Sequence, residues 1–375
     1  MQRVRVAVIG AGAIAQIEHI PNLLKLKRQF EILGVYDPSA KVRAFIGEEF
    51  ALAAFDDLDR LLALPLDAVV IASPDALHRE QALAAFANGL HVYCEKPLCY
   101  GVDDIDDVIA ARDRAGKILQ VGYMKRFDPS YETALRLLPG SAETLRYISV
   151  EVNDPDAWPF IRHHACCRGD DVPAELIDAA ARKQQEQVAR AVPGVIDSSD
   201  YRGFTGAYCS SIVHDVNAVH GLLEALGIGD GEIVGAQLFA SGEGGQGAVR
   251  LLGGQALWNM VHLAVPALAD YRERITLYFH DSILELEFPS PYLNHQPTRL
   301  TIRASNGHTL TSRDIRTGYE EAFVEELKGF WSAIVEGQPV RNTAEHARRD
   351  MKLLAGMAEF HLAQVRQSAR IGVRS

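Results

Sequence analysis

Gly10-Ala11-Gly12-Ala13-Ile14-Ala15 is the first group in the chain whose residue types and spacing suit a chemical task. Gly10 permits a tight turn, Gly12 lets backbone approach a pyrophosphate, and Ala15 is small enough for close helix–strand packing. A helix N-terminus just beyond such a turn attracts phosphate. Further on, Asp37 in Tyr36-Asp37-Pro38 offers a carboxylate with two compatible uses. It can accept hydrogen bonds from a ribose diol, and it can cap a helix that starts at Pro38. A carboxylate there repels an added phosphate, so NAD is favoured over NADP. Two more polar groups follow apolar runs: Ser73-Pro74-Asp75-Ala76-Leu77-His78 after AVVIA, and Glu95-Lys96-Pro97 after HVYC. A lysine at the end of a buried strand can be desolvated, which lowers its pKa and suits proton transfer. By residue chemistry alone, a surface Lys96 paired with Glu95 is the readier reading.

These groups need elements to hold them. Arg3–Ile9, Glu31–Tyr36, Ala68–Ala72, Leu90–Cys94 and Lys117–Gly122 read as strands. Ala13–Lys27 (bent or split at Pro21), Pro38–Phe50, Asp56–Leu64, His78–Gly89 and Asp103–Ala115 read as helices. Strands alternating with helices predict an α/β parallel sheet covered on both faces, with ligands at the C-terminal ends of its strands. Residues 1–122 are therefore read as an NAD-binding Rossmann domain, and 123–375 as an α+β domain for substrate binding and oligomerisation. After Gly122 come the helix Pro129–Leu138, the strand Leu145–Val152, a polar exposed helix Asp170–Val192 and a helix Ala207–Leu226. From Glu232 to about Ser312 strand follows strand, which predicts an antiparallel sheet. Helices Tyr319–Glu336 and Thr343–Arg366 close the chain, the last free to pack back on the first domain. In Ala207–Leu226 an apolar stripe of Ile212, Val216, Val219, Leu223 and Leu226 leaves Ser210, His214, Asn217 and Gly221 on the opposite face.

The chain has 375 residues, 38 Lys+Arg against 49 Asp+Glu, and a net charge of −11. That balance argues against a general nucleic-acid binder and against anionic membrane surfaces. Five scattered cysteines do not make a disulfide framework, and a reducing, cytoplasmic setting is expected. The run Arg162-His163-His164-Ala165-Cys166-Cys167-Arg168 tempts a metal assignment, but its adjacent pairs lack ligand spacing. No metal is expected. His163 is read instead as a contact for substrate hydroxyls or an acidic group. Tyr123, Lys125 and Arg126, just past the last Rossmann strand, are candidates for binding a substrate, with internal salt bridging as the competing reading.

Taken together, GAGAIA, SPDALH, CEKPL, VGYMKRFDP, the His214-Asp215 helix and AFVEELKGFWSAIVEGQPV resemble the Gfo/Idh/MocA oxidoreductases. The resemblance implies a Rossmann domain followed by a domain with an open, mainly antiparallel sheet. It also implies a homo-oligomer formed through that sheet and a sugar, sugar-derivative or cyclitol substrate held between the domains. Gly10, Gly12, Ala13, Ile14, Asp37, Ser73, Pro74, His78, Glu95 and Lys96 are then expected to bind NAD. Lys96 and His214 are the expected catalytic pair, with His214 as general acid/base. Ser210 and Asn217 join Tyr123, Lys125, Arg126 and His163 as expected substrate contacts. One departure stands out: many members carry an aspartate where this chain has Ser210, and Asp215, Asp197 or Asp200 would have to supply the missing charge. The implied activity is interconversion of a secondary hydroxyl and a ketone. Redox-neutral glycoside cleavage or epimerisation, and non-catalytic sensing, are the alternatives.

Overall fold

Short runs of β-branched residues with no polar face suit strands covered on both sides. The computed structural model, which describes residues 2–195 and 198–372, assembles six of them into one parallel sheet. They are β1 (Val4–Ile9), β2 (Phe30–Tyr36), β3 (Ala54–Phe55), β4 (Ala68–Ile71), β5 (His91–Glu95) and β6 (Leu119–Gly122). Their order is β3-β2-β1-β4-β5-β6, so the chain reverses direction across the sheet between β1 and β4. Ligands of open parallel sheets bind at that switch point, at the C-terminal ends of the strands. The glycine turn leaves β1 at this place.

This sheet belongs to a unit made of Met1–Met124, Trp158–Gln187 and Phe323–Arg348. Val6, Val8, Val35, Val70 and Tyr93 share a core with Val324, Leu327, Phe330 and Trp331 from the helix Ala322–Val335. Ala13–Lys27, read as bent or split at Pro21, is helical as far as Lys25, and its winding changes just before Pro21. Ala15–His19 winds as a wide turn, and Pro21 then falls in the first turn of the helix Ile20–Lys25, where its missing N–H costs no bond. The polar helix spans Ala174–Ala191 and lies mostly exposed. Its inner edge rests on the turn and helix that follow β4: Gln187 Nε2 donates to the Ala76 carbonyl at 3.0 Å, and Lys183 pairs with Glu80 at 2.5 Å.

The second unit holds Lys125–Ala157, Val188–Ala322 and Arg349–Ser375. Its eight strands are β7 (Leu145–Asp154), β8 (Glu232–Leu238), β9 (Gly244–Leu251), β10 (Ala256–Ala264), β11 (Arg272–Phe279), β12 (Ser282–Phe288), β13 (Arg299–Ser305) and β14 (Leu310–Ile315). They lie in the order β14-β13-β12-β11-β7-β10-β9-β8. Every pair is antiparallel except β10 with β7, because later strands add to both edges of the early central strand β7. The wide-wound segment Gly203–Ile212 packs on β9 and β10, where the Tyr208 hydroxyl donates to the Gln246 carbonyl at 2.7 Å. Among the described residues no helix is long and apolar enough to cross a membrane.

Candidate cofactor cradle and catalytic residues

Gly10 has φ of +88°, and a Cβ there would sit 2.6 Å from Ser73 Cα. Only glycine satisfies both demands. A Cβ on Gly12 would meet nothing within 4 Å, so backbone faces open space where a phosphate can approach. Ala13 and Ile14 follow it into the helix, with Ile14 packed against the core. The Asp37 carboxylate accepts from Ala11 N and Ser39 N, both at 2.9 Å, and so ties the glycine turn to the end of β2. Burial raises its pKa. Asp37 does not cap the next helix. That helix is Ala40–Phe50, and Ser39 Oγ caps it by accepting from Val42 N at 3.0 Å.

The β4 and β5 ends meet through one histidine. His78 has Nε2 2.8 Å from the Ser73 carbonyl and Nδ1 2.8 Å from the Pro97 carbonyl, so it joins the Ser73-Pro74 loop to the Glu95-Lys96-Pro97 loop. Glu95 is buried at 2.7 Å from His19 Nε2. Burial works against this carboxylate, but the hydrogen bond and charge of His19 outweigh it and lower the pKa. The neighbouring Glu326, bonded by the Tyr93 hydroxyl at 2.7 Å, is pushed well up by burial and by Glu95. The two buried carboxyls are thus shifted in opposite directions. Glu95 acts here as an anchor below the loop, with Lys96 half-buried at the loop itself.

In the second unit the helix Val213–Ala225 departs from the two-faced reading. Ser210 is exposed and His214 half-buried, but Asn217 and Gly221 are buried. Asn217 Nδ2 donates to Asp350 at 2.8 Å, and a Cβ on Gly221 would sit 2.3 Å from the Tyr131 hydroxyl. Lys125 and Arg126, expected to offer cations to a substrate, are committed inside the unit. Lys125 Nζ lies between Asp215 (2.8 Å) and Glu273, with Tyr271 donating to Glu273 at 2.9 Å. Arg126 donates to the Asn217 carbonyl at 2.8 and 3.0 Å and pairs with Glu224 at 3.1 Å. Internal bridging is what the structure shows for both. Tyr123, in the first unit, is fully buried, and its carbonyl accepts from Asn342 Nδ2 at 2.7 Å. Of the carboxylates near His214 in sequence, Asp215 is spent on Lys125, Asp200 lies 3.2 Å from His361, and Asp197 is outside the described residues.

Residues 162–168 form no ligand cluster. His163 is exposed and stacks on His164 at 4.2 Å between centroids, and Arg168 lies 4.4 Å over the Trp158 ring. Cys167 is used through its backbone. Its N–H donates to Gln16 Oε1 at 2.7 Å, and Gln16 Nε2 donates to its carbonyl at 2.9 Å. Gln16 and Asp171, which bind this segment to the dinucleotide turn and to the end of β2, escaped the sequence reading. The signal for Gln16 was a polar residue on an otherwise apolar helix start. Asp171 offered only the acidic pair in GDD.

A family model described as an oxidoreductase family with an NAD-binding Rossmann fold matches residues 4–123. Over these residues the chain matches the Gfo/Idh/MocA oxidoreductase family. Among Gfo/Idh/MocA relatives, it is similar to inositol 2-dehydrogenase 3 of Saccharopolyspora erythraea, 36% identical over 137 residues that cover 36% of this chain and 40% of that one. It is likewise similar to an inositol 2-dehydrogenase/D-chiro-inositol 3-dehydrogenase of Shouchella clausii, 36% identical over 132 residues covering 34% and 38%. The match thus spans less than half the length of these curated relatives. Across the whole chain the likeness is one of fold. UDP-N-acetylglucosamine 3-dehydrogenase GnnA of Acidithiobacillus ferrooxidans superposes with a TM-score of 0.70 at 19% identity, covering 96% of this chain and 99% of that one. The 3-ketoreductase KijD10 of Actinomadura kijaniata, solved with NADP and TDP-benzene, gives 0.70 at 18% identity, covering 94% and 96%.

Proposed function

We propose that the chain is an NAD-dependent oxidoreductase that interconverts a secondary hydroxyl and a ketone on a sugar, sugar derivative or cyclitol. The observation that carries this reading is the dinucleotide turn of a Gfo/Idh/MocA Rossmann sheet, with Gly12 facing open space beside a carboxylate at the end of β2. Gly10, Gly12 and Asp37, with the Ser73 and Lys96 loops that His78 joins, are the residues that would hold the cofactor. When bound, the nicotinamide supplies the hydride acceptor. Asp37 supports a preference for NAD, since its carboxylate suits a free ribose diol and repels a phosphate.

Lys96 and His214 keep the roles that the family resemblance implies. Lys96 stabilises negative charge developing on the substrate oxygen, and His214 takes the hydroxyl proton, or returns it in the reductive direction. His214 stands half-buried one helical turn from exposed Ser210, a placement that supports this role. Ser210 contributes orientation and no charge, so it cannot hold an imidazolium as an aspartate would.

The test is a panel of sugars, amino sugars, sugar acids and cyclitols followed by NADH absorbance in both directions. With the substrate found, His214→Ala should lose about 10²–10⁴-fold in kcat while still binding NADH. Near-normal kcat in that variant would remove histidine from the reaction. Turnover without net NADH change would favour a redox-neutral conversion.

A further inference from the structure

We propose that the strap Cys167–Asp171 sets the cofactor preference of this chain by filling, with its own carboxylates, the place that the 2′-phosphate of NADP would need. The inference rests on the reading that the first unit binds a nicotinamide dinucleotide, and it gives that reading's preference for NAD a second, separate cause.

The helix Ala40–Phe50 has its N-cap, Ser39, two residues after Asp37. Its start presents three donors: the Ser39 hydroxyl, the free first-turn N–H of Lys41 and the Lys41 ammonium. A hydroxyl, an unpaired helix amide and a cation together suit a phosphate. They also lie beside the carboxylate suited to the ribose diol, so a phosphate on the 2′ oxygen would come to them.

In this chain all three are already taken by the strap. Ser39 Oγ donates to Asp171 Oδ1, and Lys41 N donates to Asp171 Oδ2 at 3.0 Å. Lys41 Nζ sits on Asp170 Oδ1 at 2.7 Å. Arg43, also beside Asp37, is turned onto the Asp37 and Pro38 carbonyls at 2.9 Å. The hydrogen bond from Ser39 holds the Asp171 carboxyl below its ordinary range, so it stays charged at neutral pH.

The strap is anchored just before this contact. Cys167 exchanges two backbone hydrogen bonds with the buried Gln16 side chain, which also donates to the Ala11 carbonyl at 2.6 Å. Gly169 lets the strap come close, because a Cβ there would lie 3.0 Å from Ser39 Cβ and 3.3 Å from its hydroxyl. An internal carboxylate thus occupies the anion position that a phosphorylated cofactor would claim. NADP has to displace Asp171 and then face Asp37, Asp170 and Asp171 together, while NAD does not.

The test compares dissociation constants of NADH and NADPH by fluorescence titration for the full chain, for Asp171→Asn, and for the double variant Asp170→Ala/Asp171→Ala. Asp171→Asn preserves shape and removes one charge. The expected result is a shift of the NADH/NADPH affinity ratio toward NADPH of about fivefold in Asp171→Asn, and of about tenfold or more in the double variant. A ratio that stays within twofold of the parent overturns the proposal, even if thermal unfolding shows the strap loosened, because a merely structural clasp would do that. Failure of the parent to bind either dinucleotide would overturn the dinucleotide reading and this inference with it. The two failures are told apart by whether NADH binds.

Discussion

Two glycines two residues apart carry different loads. Gly10 is required by the fold, since its φ of +88° and its approach to Ser73 leave no room for a side chain. Gly12 is not, since a Cβ there meets nothing. Gly10→Ala should therefore destabilise the chain by about 1–3 kcal/mol, through backbone strain and displacement of the Ser73 loop. Gly12→Ala should unfold like the parent yet bind NADH about tenfold more weakly or worse, because the methyl group takes the space meant for the pyrophosphate. Thermal unfolding and NADH titration of the two variants separate the roles. Equal effects on both readouts would deny Gly12 a cofactor role. The sequence showed the glycine pattern but not which glycine serves the fold, because that depends on Ser73, which lies 63 positions away from Gly10 in the chain. It also hid the carboxylate at Ser39. Asp171 stands 132 positions from it, and no periodicity links the two.

At the scale of elements, periodicity was a good guide to strands and a poor one to helix faces. β1, β4 and β5 are buried on both sides and read plainly as apolar runs. In the helix Val213–Ala225 the polar residues were not a solvated face. Asn217 and Asp215 are buried because Asp350 and Lys125 meet them from other elements. Polar side chains inside a core are satisfied by long-range partners, which a helical wheel does not contain. The Lys125 group illustrates the energetics. Asp215 and Glu273 are two buried carboxylates held by one ammonium, and Phe288 closes the site 5.0 Å from Nζ. Burial and the charge of Glu273 push the Asp215 pKa up, against the pull of Lys125. Lys125→Met should cost about 3–5 kcal/mol in urea unfolding, because it leaves buried carboxylates uncompensated. Adding Glu273→Gln should restore part of that loss. A double variant no more stable than Lys125→Met alone would mean that packing, and not charge, sets the cost.

Over the whole molecule the two units differ in how acid reaches them. In the first unit, burial and the charge of Lys117 lower the His91 pKa to about 4, and His91 Nδ1 accepts from Ile118 N at 3.0 Å only while unprotonated. An unfolded histidine titrates near 6.5, about the ordinary value. The contribution is therefore complete above about pH 6.5 and is lost as pH falls toward about 4. Full shielding would make that ~3 kcal/mol, and solvent screening of this half-exposed ring reduces it to about 1–2 kcal/mol. Glu345, held down to about 2 first by its hydrogen bonds from Arg112, adds a second loss at still lower pH. In the second unit the raised pKa of Asp215 has the opposite sign, since its folded form takes up a proton more readily and gains from acid. The first unit should then be the one that weakens between about pH 7.5 and about pH 4.5. The three tryptophans make this readable, with Trp331 in the first core, Trp258 buried in β10 and Trp158 removable as an exposed side chain. In a Trp158→Phe background, further Trp→Phe changes isolate each buried reporter. The urea midpoint seen by Trp331 should fall over that pH range by more than the one seen by Trp258. His91→Gln, whose amide oxygen can still accept from Ile118, should shrink the Trp331 shift by the equivalent of about 1 kcal/mol. Midpoints that move together in both proteins would mean that acid stability is a property of the whole chain and not of His91 and its unit.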